Sequence, residues 1–149
     1  MSCETNKVIV RRFIEECSNG RNDALLEEII SPDWVSHGTQ SASATAPSLP
    51  RGVVGVKQLQ AQVFSIWPDN HWTIEDMIAE GDKVAVRMTS HATHRAEYRG
   101  IPATGRHVTF SSIWMYRLVE GKIAEAWRSA DDLGRVMQIG GTIASTEHR

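Results

Sequence analysis

Helical and extended hydrophobic patterns occupy different halves of this chain. Apolar residues recur at helical spacing in the first 67 residues, whereas from Trp72 onwards they alternate with polar residues, as they do in strands. A doubly wound fold would alternate strands with helices, and this order does not. The pattern predicts an α+β fold, in which N-terminal helices cover one face of a curved antiparallel sheet.

Stop signals divide the two halves into elements. The residue before a proline avoids the helical region, so Ser31-Pro32 ends the second helix. Gly81-Asp82 and Glu120-Gly121 predict tight turns between strands. The predicted helices are 10–17, 25–30, 56–67 and 133–138. The predicted strands are 34–37, 72–79, 84–94, 108–119 and 123–131. The stretch 38–52 is rich in Ser, Ala, Thr, Pro and Gly, which predicts a flap or a locally disordered loop.

Composition narrows the class of protein. The 149 residues fit one domain, 1–149, and the 41% of hydrophobic and 23% of charged residues are ordinary for a globular protein. A net charge of −2 and the absence of a basic cluster do not indicate binding to nucleic acid or to an anionic membrane. With two cysteines, Cys3 and Cys17, and no apolar leader or spanning segment, we expect a reduced, cytoplasmic protein.

The last predicted hairpin is the most informative part of the sequence. If Glu120-Gly121 is a two-residue turn, Leu118 pairs with Ile123 and Trp114 lies opposite Trp127. Side chains two residues apart share a face of a strand. One face would then carry Phe110, Ser112, Trp114, Tyr116, Ile123, Glu125, Trp127, Ser129 and Asp131.

This aromatic face has two interpretations. It is either a buried core or subunit contact, or the wall of a small-molecule pocket with a carboxylate at its rim. Apolar surroundings raise the pKa of a carboxyl group, which suits a general acid or base near neutral pH. Asp131 lies at the strand end, where a pocket mouth is expected. The candidate binding residues are Trp127, Trp114, Tyr116, Phe110, Phe64 and Met88.

Other chemical signals are weaker. The six histidines form no recognisable metal motif, and no phosphate-binding or dinucleotide-binding glycine motif occurs, so we expect no metal and no cofactor. His37 and His94 each end a predicted strand and, taken alone, are typical of structural or exposed histidines. Asp76 and Arg87 face each other if Gly81-Asp82 is a two-residue turn. That pair is either a structural ion pair or the machinery of epoxide opening.

The sequence also resembles the SnoaL-like polyketide cyclases, or predicted ester cyclases, of the nuclear-transport-factor-like superfamily. The resemblance spans nearly the whole chain. Its matching stretches are NKVIVRRFIEE (6–16), PDWVSHG (32–38), EDMIAEGDKVAVR (75–87), THRAEYRGIPATGR (93–106) and YRLVEGKIAEAWRSADDLG (116–134). The chain departs from the family pattern in the long 38–52 stretch and in Ala92, where the family usually has glycine before Thr-His.

The resemblance implies a cone-shaped α+β barrel around one cavity. Characterised members close a ring by intramolecular aldol condensation without metal or cofactor, and their acid/base aspartate corresponds to Asp131 here. The resemblance also implies that His37 and His94 lie near the cavity. We therefore expect a cofactor-independent, polyketide-cyclase-like enzyme, with Asp131 as acid/base and His37 or His94 polarising a carbonyl.

Two other functions remain open at this stage. One is epoxide opening in the same cavity through Asp76 and Arg87, and the other is a non-catalytic module that binds a small ligand. The expected partner is a hydrophobic, carbonyl-rich small molecule. An open sheet face with apolar side chains, together with the resemblance, predicts a homodimer.

Overall fold

The computed structural model describes residues 2–38 and 49–142 and has the predicted α+β class. Most of the stretch 38–52 lies outside the described residues. In chain order the elements are helix α1 (Cys3–Arg12), a π-helical turn (Phe13–Asn19), a 3-10 turn (Asp23–Leu25), α2 (Leu26–Ile29), β1 (Ile30–Gly38), α3 (Val53–Ile66), β2 (His71–Glu80), β3 (Lys83–Thr93), β4 (His107–Val119), β5 (Lys122–Ala130) and α4 (Asp132–Gln138).

The first predicted helix, 10–17, lies within a longer helical segment that begins at Cys3 and is π-helical from Phe13 to Asn19. The hydroxyl of Ser2 caps α1 by accepting the backbone N–H of Thr5. Val10 at the end of α1, with Ile14 and Cys17 of the π-helical turn, is buried on the side that faces the sheet. The helical segment thus covers the sheet with one face and leaves its charged residues in solvent.

Five strands form one curved sheet in the order β1-β5-β4-β3-β2. β2, β3, β4 and β5 are antiparallel neighbours, and β1 adds parallel to β5 at the edge. β1 begins at Ile30, earlier than predicted, and includes Pro32. A proline is tolerated there because an edge strand leaves one side of its backbone unpaired.

Both predicted turns are confirmed. Glu80 pairs with Lys83 around Gly81-Asp82, and Val119 pairs with Lys122 around Glu120-Gly121. Glu120 and Gly121 both have positive φ, 49° and 77°, as a tight hairpin turn requires.

The predicted register of the last hairpin is wrong beyond its first pairs. Leu118 pairs with Ile123, but the next residue of β4 pairs with Glu125, so Ala124 is an extra residue in β5. Such a β-bulge reverses the side of the sheet on which each later side chain lies. Trp127 therefore pairs with Met115 rather than with Trp114.

The sheet thus has two different faces. The inner face packs against α1, the π-helical turn and α3, and it carries buried residues such as Val84, Val86, Met88 and Tyr116. Within residues 2–38 and 49–142 no element covers the outer face, which exposes large apolar side chains, among them Ile78 and Ile113. Within the described residues, each helix is too short or too polar to cross a membrane.

Candidate active site

A cavity of about 310 Å³ lies between the N-terminal helices and the inner face of the sheet. A volume of this order is at the small end of the range for ligand pockets, roughly 300–1,000 Å³. Its walls are mostly apolar and aromatic, and its charged groups gather at one end. The lining residues used below are Phe13, Ser18, Trp34, Gln60, Trp72, Met88, Tyr98, Arg99, Trp114, Tyr116, Arg128, Asp132 and Arg135.

Aromatic rings form the wall on the sheet side. The rings of Trp114 and Tyr116 stack with centroids 5.9 Å apart and nearly parallel planes, and Phe13 meets Tyr116 edge-on at 6.0 Å. Trp114, Tyr116 and Met88 were predicted as binding residues, and all three line the cavity. Their role in binding stays a prediction.

Tyr116 also brings a hydroxyl group to this wall. Burial raises the pKa of Tyr116, so the hydroxyl stays protonated and keeps a proton to donate. Gln60 donates a 2.9 Å hydrogen bond to the hydroxyl of Ser18 on the helical side of the cavity. The apolar wall therefore contains a few fixed polar groups, as small-molecule sites do.

A cluster of charged side chains closes the polar end. Arg128 binds both oxygens of Asp132, with Nη1–Oδ2 at 2.9 Å and Nη2–Oδ1 at 2.7 Å. Arg135 donates from Nη2 to Asp132 Oδ1 at 2.9 Å and to the Tyr98 hydroxyl at 2.7 Å. Among the described residues that line the cavity, Asp132 is the one carboxylate.

The surroundings of Asp132 keep it ionised. Burial raises the pKa of this carboxyl group, but the hydrogen bond and charge of Arg128 and the charges of Arg135 and Arg99 outweigh burial. The net effect lowers the pKa from its ordinary value of 3.8. At neutral pH Asp132 is a carboxylate that can accept a proton from a ligand.

Asp131 does not lie where the sequence predicted it. It is exposed at the N-terminus of α4, and its side chain accepts the backbone N–H of Gly134 at 2.9 Å. It is absent from the cavity wall as described, whereas the next residue, Asp132, lies in that wall. The structure therefore gives Asp131 the role of a helix cap and does not include it in the described cavity wall, at whose rim it was predicted.

His37 and Trp127 lie on the outer face of the sheet. The bulge at Ala124 turns Trp127 and Glu125 outward, and the His37 ring stacks on Trp127 at 5.0 Å. His37 Nε2 lies 2.6 Å from Glu125, which also binds Arg117. These contacts with His37 and Arg117 lower the pKa of Glu125. The expected place of His37 near the cavity is wrong.

His94 lies in the core, away from the described cavity wall. It is fully buried, with its ring 5.2 Å from that of Trp67. Its Nδ1 accepts the backbone N–H of Thr104 at 3.2 Å and lies 2.9 Å from the Thr104 hydroxyl. This environment is that of a structural histidine.

Phe110 and Phe64, the two remaining predicted binding residues, pack behind the residues of the cavity wall. Phe110 is buried, and the Arg135 guanidinium lies 4.4 Å from its ring centroid. Phe64 meets Trp72 edge-on at 5.8 Å, while Arg21 covers its ring at 3.4 Å. Both residues hold wall residues in place without lining the cavity.

Asp76 and Arg87 are paired across β2 and β3 as predicted, but neither lies in the described wall of the cavity. Both side chains are exposed, and Asp76 accepts the backbone N–H of Met77 at 3.0 Å. Epoxide opening in the cavity through these two residues is therefore excluded.

Sequence reasoning missed the charged end of the cavity. Arg128, Asp132 and Arg135 recur at spacings of four and three, which resembles an ordinary solvated helix face. Tyr98 and Arg99 come from the segment between β3 and β4, and nothing in their spacing points to the site. Within residues 2–38 and 49–142, no three His, Cys, Asp or Glu side chains are grouped as metal ligands.

Comparison with known proteins places this cavity in a family. The family model of the SnoaL-like polyketide cyclases matches residues 8–139. The chain belongs to this family. The match runs from α1 to the end of α4, so it includes every element that builds the cavity.

Curated relatives are ring-closing enzymes. Aklanonic acid methyl ester cyclase DnrD of Streptomyces peucetius is 25% identical over 136 residues, which cover 89% of this chain and 88% of DnrD. Aklanonic acid methyl ester cyclase DauD of Streptomyces sp. strain C5 is also 25% identical, over 89% of this chain and 80% of DauD.

Solved structures share the fold. IdmH from Streptomyces antibioticus, a proposed polyketide cyclase, is 29% identical with a TM-score of 0.78, over 91% of this chain and 99% of IdmH. TsrD from Streptomyces laurentii is 24% identical with a TM-score of 0.78, over 94% of this chain and 98% of TsrD, and shows the fold alone. The predicted SnoaL-like fold is thus confirmed.

Proposed function

We propose that this protein is an enzyme that closes a ring in a hydrophobic, carbonyl-rich small molecule, with Asp132 as its general base. The observation that carries this proposal is an ionised carboxylate in the wall of an aromatic cavity. The 25% identity with two aklanonic acid methyl ester cyclases supports the reaction class.

The proposed reaction is an intramolecular aldol closure. Asp132 removes a proton from a carbon beside a carbonyl group, which leaves an enolate. The enolate carbon attacks a second carbonyl carbon of the same molecule and forms a carbon–carbon bond. The resulting alkoxide oxygen takes the proton back from Asp132, so the proton balance closes without oxidation or reduction.

The arginines make a weakly basic carboxylate adequate for this step. A low pKa alone would make Asp132 a poor base for a carbon acid. When Asp132 takes up the proton, however, Arg128 and Arg99 remain beside it and can stabilise the negative oxygen of the enolate. The same positive charges that lower the pKa of Asp132 thus favour the product of proton removal.

The aromatic wall supplies positioning. Trp114 and Tyr116 present nearly parallel rings to the cavity, which suits a planar ligand. Holding two reacting carbons of one molecule in a folded pose can supply several kcal/mol of the reduction in barrier. The protonated hydroxyl of Tyr116 can orient a carbonyl oxygen by hydrogen bonding.

Adjacent aspartates allow a matched experiment. We would measure ring closure of aklanonic acid methyl ester by chromatography, and exchange of its acidic C–H protons in D₂O by NMR. Asp132→Asn should lower the rate about 10²–10⁴-fold, the range for a lost general base. Asp131→Asn should keep the rate within about twofold, because asparagine caps a helix as well as aspartate does.

Two experimental results would contradict the proposal. An Asp131→Asn variant that loses activity as far as Asp132→Asn would return the acid/base role to Asp131. A wild-type protein that binds the compound but catalyses neither closure nor exchange would indicate a non-catalytic binding module. Circular dichroism at the assay temperature must show that both variants are folded.

A further inference from the structure

The charged end of the cavity has more positive than negative groups. Arg99, Arg128 and Arg135 line it together with one carboxylate, Asp132. Arg99 and Arg135 both act electrostatically on Asp132, and Arg99 and Arg128 both act on Arg135. Among the described residues that line the cavity, three guanidinium groups therefore lie with one carboxylate, an excess of positive groups.

Arg135 is buried without a full set of hydrogen bonds. It is 8% exposed, and both of its hydrogen bonds within the described residues use Nη2. Its Nε is buried without a partner among those residues. Aromatic rings surround the guanidinium, with its carbon 5.2, 4.7 and 4.4 Å from the ring centroids of Trp67, Tyr98 and Phe110.

Such a group is costly unless an anion balances it. Burying a charge destabilises the folded state when the charge is not paired and hydrogen-bonded. The rings offset part of the cost by cation–π attraction, but they accept no directional hydrogen bond in the guanidinium plane. Asp132 also divides its single negative charge between Arg128 and Arg135. The described residues therefore leave a demand for a second anion at Arg135, whose buried Nε has no acceptor among them.

We infer that the cavity binds a planar aromatic ligand that carries a carboxylate, and that Arg99 and Arg135 bind this carboxylate. The inference rests on the proposed function only in taking this cavity as the substrate site. Guanidinium groups match the planar, two-oxygen geometry of a carboxylate. An ester or an amide has the same shape but lacks the charge, so it leaves the positive excess in place.

Two kinds of anion could meet this demand. One is a carboxylate that the ligand carries throughout, and the other is the enolate that forms during the reaction. An aromatic acid that cannot form an enolate separates them, because it tests the permanent charge alone. The uncharged remainder of such a ligand would lie against Trp114 and Trp72 in the apolar part of the cavity.

Isothermal titration calorimetry at pH 7.5 with three probes tests the inference. The probes are 2-naphthoate, its uncharged isostere 2-naphthamide, and methyl 2-naphthoate. We expect 2-naphthoate to bind at least about tenfold more tightly than either neutral probe, since a charge-assisted pair replaces a neutral contact. Equal or weaker binding of 2-naphthoate, or no measurable binding of it, would overturn the inference.

A pair of charge-removing variants locates the anion. Arg99→Gln removes one guanidinium but leaves the hydrogen bonds among Arg128, Asp132 and Arg135 in place, so it should fold. It should weaken 2-naphthoate binding about three- to tenfold, with 2-naphthamide binding unchanged. Arg11→Gln removes the same charge on the exposed side of α1, where Arg11 pairs with Glu15, and should change neither affinity. If Arg99→Gln and Arg11→Gln weaken 2-naphthoate binding equally, the effect comes from overall charge, and the proposed anion site is refuted.

Different results would refute this inference and the proposed function. Tight, Arg99-dependent binding of 2-naphthoate by a protein that catalyses no proton exchange would keep the anion site and reject the enzyme. Ring closure or proton exchange by a protein that does not prefer 2-naphthoate would keep the enzyme and reject the anion site.

Discussion

Replacement of Asp132 by asparagine removes a charge but keeps the size of the side chain, so it measures how much the carboxylate stabilises the fold. Removing one partner of a buried ion pair costs about 3–5 kcal/mol. The Asp132 side chain is 13% exposed, and an asparagine Oδ1 can still accept from the arginines. We therefore place the loss at the lower end, at about 3 kcal/mol. For a chain of this length it corresponds to a fall in Tm of roughly 6–12 °C.

The free energy of unfolding that Asp132→Asn loses should depend on pH. The folded state lowers the pKa of Asp132 below its ordinary value of 3.8. A group with a lowered pKa stabilises the fold above its unfolded pKa, and this contribution disappears as the pH falls through the folded pKa. The difference between wild type and Asp132→Asn should thus be constant from about pH 5 to 7 and narrow below about pH 4.

Urea unfolding followed by tryptophan fluorescence measures this free energy at each pH. Asp131→Asn is the control, because its cap survives and its stability should stay within about 0.5 kcal/mol of wild type. A loss below about 1 kcal/mol in Asp132→Asn at pH 7, or a difference that does not narrow in acid, would show that the ion cluster is not a buried pair.

Three further outcomes follow from packing and exposure. Burial raises the pKa of Cys17 to about 11, so a thiol reagent at pH 8 should modify Cys3 in the native protein and Cys17 only after unfolding. A methyl group on Gly55 would lie 1.9 Å from a backbone oxygen, so Gly55→Ala should lower Tm although alanine favours helices by about 1 kcal/mol. Ile78 and Ile113 are 67% and 53% exposed on the outer sheet face, so we expect a homodimer there, and light scattering should show Ile113→Glu as a monomer.

Periodicity and turn chemistry were enough to predict the class of fold. The apolar stripe through Val10 and Ile14 specifies a covering helix. Glu120-Gly121 fixes the last turn, because both residues adopt positive φ. The parallel pairing of β1 with β5 joins strands far apart in the chain, and no local pattern predicts it.

The candidate site was less accessible to sequence reasoning. The sequence prediction of the pocket face assumed that side chains alternate strictly between the two faces of β5. One extra residue, Ala124, breaks that alternation. In the sequence, the bulge corresponds to the adjacent apolar residues Ile123 and Ala124, and both are buried. A pair of adjacent apolar residues is too common to identify a bulge without the partner strand.

The chemistry of the cavity depends on this bulge. Without Ala124, the predicted register would turn Trp127 inward and Arg128 outward, and the polar end of the cavity would have lost a guanidinium. With the bulge, Arg128 lies inside and binds the first residue of α4, Asp132. The start of α4 then separates the two aspartates, because Asp131 is the N-cap with a non-helical backbone and Asp132 is the first residue of the helix. Asp131 satisfies the N–H of Gly134 while Asp132 lines the cavity, so one residue stabilises the helix and its neighbour lies where the proposed proton transfer requires it.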